Sequence, residues 1–160
     1  MSHWLSRRKV IIVPYIMYDR MPYFLIVKDT KHDEWTFVCG GCKLRETNTD
    51  AASRELKEET KGAIDIEVQS ETCTMCFLHN DCFYYTVYFV NLNDYNIHKE
   101  NVENLIKTYK ECTMRKKEYN ETCDISFVSR NDLNKVDMWS FMRNHIVPNI
   151  DRHIRAYVKR

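Results

Sequence analysis

The chain is short of the residues that interrupt regular structure, with three glycines and three prolines in 160 residues. That scarcity excludes a collagen-like or Gly/Pro-rich low-complexity chain, and neither a repeat nor a linker divides the sequence. Net charge is nearly absent, at +1. No global basic field results, so any affinity for nucleic acid must come from a local patch. Long apolar runs are also missing. The longest near the N-terminus, "VIIVPYIMY" over residues 10–18, is too short to span a bilayer and is interrupted by Pro14. Arg7, Arg8 and Lys9 precede it, but "YDRMPYF" follows where a cleavable leader would carry small residues. The run reads as a first core strand of a soluble chain that is not exported and has no membrane partner.

What the chain does have is an ordinary globular composition, 44% hydrophobic and 29% charged, at a length that suits one domain. Seven cysteines, an odd number, fit a reducing, cytoplasmic compartment better than a disulfide framework. Two Cys-x-x-Cys pairs, Cys39/Cys42 and Cys73/Cys76, raise the question of a tetrahedral zinc site. A strongly helical segment separates them and neither lies in a short ribbon-like module, so buried small hydrophobes are the stronger reading.

Residues 9–18 and 22–28, separated by "DRMP", read as two strands and a turn, and "EWTFV" (34–38) as a third strand leading into a glycine pair. Residues 50–61 predict a helix capped by Thr49 and stopped by Gly62. "AIDIEV" (63–68) alternates as a half-buried strand does. "TCTMCFLHNDCFYYTVYFV" reads as a hairpin turning at His79-Asn80-Asp81. Val102, Leu105, Ile106 and Tyr109 predict a helix, and "DISFVS" (124–129) a further strand. Met142, Ile146, Ile150, Ile154 and Val158 recur every four residues, giving an amphipathic C-terminal helix over about 137–158, kinked or restarted at Pro148. The class is α+β.

All three glycines, Gly40, Gly41 and Gly62, bracket one stretch, "CGGCKLRETNTDAASRELKEETKG". Glycine supplies backbone angles that other residues resist, so two tight bends are expected, the Gly40-Gly41 bend able to bring backbone carbonyls and amides near a ligand. Inside it, Glu55, Glu58 and Glu59 stand at i, i+3 and i+4, so three carboxylates share one helical face. Their repulsion costs an isolated helix about 0.2–0.5 kcal/mol per pair, and a hard cation such as Mg²⁺ or Mn²⁺ reverses its sign. A solvated face interspersed with Lys57 and Lys61 is the plainer alternative. Glu46 and Arg54 form a pair able to pin the entering loop to the helix.

The stretch resembles the Nudix box. Gly40, five residues, Glu46, seven residues, then Arg54-Glu55-Leu56-x-Glu58-Glu59 match its spacing. The closing Gly62 comes one residue late, and Arg45 stands where the family often has glycine. The resemblance implies a single Nudix-type α/β/α sandwich with a mixed sheet over 1–160, its box at 40–62. It implies hydrolysis of a nucleoside diphosphate linked to another group, with Mg²⁺ or Mn²⁺ as cofactor. Glu55, Glu58 and Glu59 would ligate the metal and take part in catalysis, Arg54 and Glu46 would orient, and Gly40, Gly41 and Arg54 would meet the substrate. Glu121, in "NETCDISFVSRNDL", lies in a segment similar to that of eukaryotic decapping enzymes, and is the candidate base or further metal ligand, with Glu118 its rival.

The box and its extended Glu-Glu-Thr end look most like Nudix proteins of large DNA viruses, which for a viral protein implies the host cytoplasm. The favoured expectation is therefore decapping of messenger RNA with release of methyl-GDP, by an RNA-binding enzyme with no DNA partner. The alternatives are hydrolysis of small nucleotides or diphosphoinositol phosphates, and a non-catalytic binding module. Decapping calls for aromatic stacking and a cationic track. Trp4, Tyr15, Tyr23 and Trp139 are unassigned aromatic candidates. The cationic candidates are Arg115–Lys117 and the C-terminal stretch with Arg143, Arg152, Arg155, Lys159 and Arg160.

Overall fold

β1 (Arg8–Tyr18) and β2 (Met21–Asp29) form a hairpin. Its two-residue turn, Asp19-Arg20, has φ of 50° and 65°, the left-handed pair that matches the twist of antiparallel strands. The computed structural model describes the backbone of residues 7–158 and the side chains of residues 7–154. Trp4, Lys159, Arg160 and the side chains of Arg155 and Val158 lie outside that range. β3 (Glu34–Thr36) and β4 (Val38–Gly41) follow, then α1 (Asn48–Glu59), β5 (Cys73–His79) and β6 (Phe83–Asn91). α2 (Val102–Glu111), β7 (Thr122–Ser129), α3 (Arg130–Leu133), α4 (Ser140–His145) and α5 (Val147–Val158) complete the chain.

The strands make one mixed sheet, in the order β3-β2-β1-β6-β5, with β4 also on β1 and β7 also on β2. β1 runs parallel to β6 and antiparallel to its other neighbours. Along its second edge, residues 9–12 pair with β4 and residues 15–18 with β2. Pro14 falls in the gap between the two partners, which is where a central strand tolerates a residue lacking an N–H. β1 and β2 thus splay apart, and the β3–β4 unit fills the opening: β3 pairs with β2, β4 with β1.

Both faces of the sheet are covered, which explains the unbroken apolar run of β1. Val10, Ile12 and Ile16 pack with Ala51, Ala52 and Leu56 of α1 and Tyr109 of α2. Ile11, Val13 and Tyr15 pack with Leu133 of α3 and with Phe141, Ile146 and Ile150 of the C-terminal helices. The result is the α/β/α sandwich expected. The C-terminal helix breaks at Ile146, and α5 restarts with Pro148 in its first turn, where a missing N–H is harmless.

Three local expectations are corrected. Residues 63–68 alternate in burial but pair with no strand; their partners are side chains, as in Val68 N–H to Ser53 Oγ at 2.9 Å. α1 starts earlier than predicted, because Thr47 rather than Thr49 accepts the Asp50 amide. The glycine pair makes no bend. Gly40 and Gly41 are extended residues of β4, and Gly62, at φ 83°, is the glycine that supplies left-handed backbone.

Candidate active site

Gly40 serves close approach instead. A methyl group built on it would overlap the Glu55 carboxyl. Helix α1 therefore lies against β4 closely enough to bring its acidic face to the strand, and only glycine permits this. A methyl on Gly41 would meet nothing within 4 Å. The loop between β4 and α1 is held by Arg54. Its Nε and Nη2 donate to both oxygens of Glu46 at 2.8 and 2.9 Å, its Nη2 to the Gly41 carbonyl at 2.9 Å, and its Nη1 to Glu55 and Glu58 at 2.9 Å each. This bidentate pair holds the Glu46 carboxyl below the ordinary carboxylate range. Arg45 takes φ 67°, so the arginine adopts the left-handed backbone that a glycine would favour at that position.

The carboxylates of α1 are not a solvated face. Glu55 and Glu59 are 7% and 5% exposed. Burial, and then the neighbouring charge of Glu55, push the Glu59 carboxyl well above its usual range. Burial likewise raises Glu55, partly offset by Glu59 and Arg54. Glu59 Oε2 is buried without a hydrogen-bond partner. An orphaned buried carboxylate oxygen is costly, and calls for a ligand to explain it.

Glu121 is delivered to the same place by a chain of contacts. Thr122 Oγ1, at the start of β7, donates to the Glu59 carbonyl at 2.9 Å and meets the Tyr109 hydroxyl at 2.9 Å. The Thr30 amide donates to the Glu121 carbonyl at 2.9 Å. The Glu121 carboxyl is raised by burial and then by the charges of Glu58 and Glu118. Glu59 and Glu121 line a cleft of about 330 Å³ at the splayed end of β1 and β2, together with Asp29, Glu34, Cys39 and Trp139. Trp139 is 36% exposed, and its ring stacks on Phe141 at 4.9 Å between centroids. Glu118 lies on a 3-10 turn (Lys117–Asn120) with an exposed side chain and does not line the cleft.

The donors suit a hard divalent cation: all are carboxylate oxygens, and one buried oxygen lacks a partner. Among the described residues, no three acidic, histidine or cysteine side chains yet surround one point closely enough to hold an ion. Arg54 Nη1 bridges Glu55 and Glu58 instead.

Other sequence candidates disperse. Cys39 packs on the cleft side of the sheet and Cys42 on the α1 side, so they cannot act as one pair. Cys73 and Cys76 lie exposed on β5 with sulfurs 3.9 Å apart, so the buried reading fails for them. Tyr15 is core, and Tyr23 pairs with Tyr18 beside Lys99. In the C-terminal basic stretch, Arg143 donates to the carbonyls of Leu133 and Val136, both at 2.8 Å, and Asp151 pairs with Arg130. Sequence reasoning passed over Asp29, His32 and Glu34, which carry no motif, and had no way to assign Trp139 to the cleft.

A mixed sheet between two helical layers, with a glutamate-rich helix on a glycine strand at the splayed end, defines the class. The chain belongs to the NUDIX family of pyrophosphohydrolases: the NUDIX domain family model matches residues 6–148. Similar solved structures include the NUDIX domain of Shewanella oneidensis NrtR complexed with ADP ribose (TM-score 0.63, 14% identity, covering 93% of this chain and 88% of that one). A C. elegans Ap4A hydrolase binary complex matches at TM-score 0.55 and 15% identity, covering 93% and 98%. The E. coli dihydroneopterin triphosphate pyrophosphohydrolase matches at 0.56 and 15%, covering 94% and 96%. No curated protein matches by sequence. Among the described residues, no helix is long and apolar enough to cross a membrane.

Proposed function

We propose that the chain hydrolyses the phosphoanhydride of a nucleoside diphosphate derivative, with Glu55, Glu58 and Glu59 as the residues that hold Mg²⁺ or Mn²⁺ and Glu121 as the base. One observation carries the reading: the unpartnered, buried Glu59 Oε2 at the wall of a cleft that also contains Glu121 and Trp139. A bound cation supplies neutralisation of phosphate oxygens and acidification of water.

Arg54 keeps the box in register through Glu46 and the Gly41 carbonyl, so the carboxylates need not reorganise. Gly40 admits the Glu55 carboxyl to the strand. Glu121 takes the proton that the attacking water loses as the new P–O bond forms and the anhydride bond breaks. Its carboxyl, raised by burial and acidic neighbours, suits a base working nearer neutrality than an exposed glutamate. Trp139 offers an exposed ring for a nucleobase to stack on. A cleft of about 330 Å³ has room for one nucleoside unit. The solved structures with ADP ribose and of an Ap4A hydrolase support a small nucleotide substrate.

Capped RNA is the second reading, and one observation favours it. Arg115, Lys116 and Lys117 precede or open the 3-10 turn that Glu121 caps, so a basic segment stands a few residues before a cleft residue in the chain. The C-terminal stretch supports it less, with Arg143 bound to carbonyls. A panel of ADP-ribose, Ap4A, nucleoside triphosphates, inositol pyrophosphates and capped RNA, with each metal and products resolved by mass, tests both readings. Release of methyl-GDP with steep salt dependence selects the RNA. Turnover of small nucleotides alone removes it, and inactivity across the panel with either metal removes the hydrolase.

A further inference from the structure

Lys9 stands on the cleft face of β1, directly opposite Gly41 of β4 and beside Tyr85 of β6. Its ammonium lies 4.8 Å from the centroid of the Phe83 ring, with the Arg7 guanidinium 5.7 Å from the same centroid. Neither cation has a carboxylate partner among the described residues, although Arg7 donates one hydrogen bond to Cys82 Sγ at 3.0 Å. Arg8, between them, serves the other side of the sheet, donating to the Glu46 carbonyl at 2.7 Å. Lys9 is half-buried, and the space over Gly41 beside it is open. The next inward pair along the strands, Ile11 and Cys39, leads to the cleft, since Cys39 lines it. The Cys39 thiol registers the same neighbourhood: burial and Glu59 push it up to about 12, against a lowering by Lys9. The Phe83 ring faces one side of this half-buried ammonium, and no carboxylate takes up its charge. Glu46, Glu55 and Glu58 are already held by Arg54, so an anion from outside is the fitting partner.

We propose that Lys9, with Arg7 beside it on Phe83, is a subsite for a phosphate group of the substrate beyond the diphosphate at Glu59. Resting on the hydrolase reading above, the proposal narrows the substrate to nucleotides with at least three phosphates in line. A diphosphate ending in a neutral sugar would leave Lys9 unmatched.

Binding in the metal-free protein separates this claim from turnover. ATP and ADP-ribose are titrated calorimetrically in EDTA, so that no hydrolysis intervenes. Lys9→Gln is expected to weaken ATP about tenfold while changing ADP-ribose less than about twofold, as loss of one charge-assisted contact predicts. Lys9→Arg is expected to keep most of the ATP affinity, and a melting curve matching wild type confirms that each variant is folded. Equal ATP affinity for wild type and Lys9→Gln overturns the subsite. So does an equal loss for ADP-ribose, and so does the absence of saturable ATP binding by wild type. The hydrolase reading fails on a different result, the lack of turnover with Mg²⁺ or Mn²⁺.

Discussion

Helix α1 and the C-terminal pair α4–α5 both carry like charges, yet they use them in opposite ways. In α1, Glu55 and Glu59 turn inward, and one oxygen has no partner at all. Around α4, Arg143 is matched to two carbonyls that the short α3 and the chain after it leave open. A charge matched by the fold contributes stability. A charge buried without a match lowers stability until something else arrives. The contrast separates a site from a brace more sharply than charge density does.

The largest effect that tests the contrast is on turnover. Glu59→Gln should lower it about 10²-fold or more, the scale of losing one preorganised electrostatic group. It should raise the melting temperature of the metal-free protein, because the buried acid is gone. Arg143→Ala should do the reverse. We expect a loss of about 1.5–3 kcal/mol in denaturant unfolding, the worth of charged hydrogen bonds, with turnover per folded molecule unchanged. The glycine pair sharpens the comparison within one strand. Gly40→Ala should cost about 1–3 kcal/mol through overlap with the Glu55 carboxyl, while Gly41→Ala should stay within about 0.5 kcal/mol.

The smallest effect is in pH dependence. The folded-state pKa of Glu59 lies above its unfolded value. Between the two, the native state holds more protons, so metal-free stability should fall as pH rises through that interval. Glu46 acts oppositely, its depressed pKa giving stability that is lost only as pH falls through it. Thermal melts from the carboxylate range upward, with and without Mg²⁺, check both signs. Added cation should flatten the falling limb.

Most strands and helices, and the acidic helix among them, were legible in the sequence because they rest on local periodicity, whereas the layering of the sandwich followed only from the resemblance of the glutamate stretch to the Nudix box. Spacing at i, i+3 and i+4 places carboxylates on one face whatever surrounds them. Gly40 was misread because glycine serves two purposes, left-handed backbone and close approach, and only the partner across the gap tells which. Residues 63–68 misled because burial alternates along any extended segment laid over a core, paired or not. Trp139 was illegible for another reason. It reaches the cleft because the distant chain returns to pair beside Trp35 of β3, which no local pattern encodes.

Hydrolysis at this cleft requires that the lone Glu59 oxygen meet a cation. Titrating Mn²⁺ into the metal-free protein calorimetrically, in two buffers of different protonation enthalpy, reads binding and proton release together. Saturable binding with protons released by wild type, both diminished in Glu59→Gln, is the predicted result. Heats identical in the two buffers, or a Glu59→Gln variant that binds as wild type does, would contradict it.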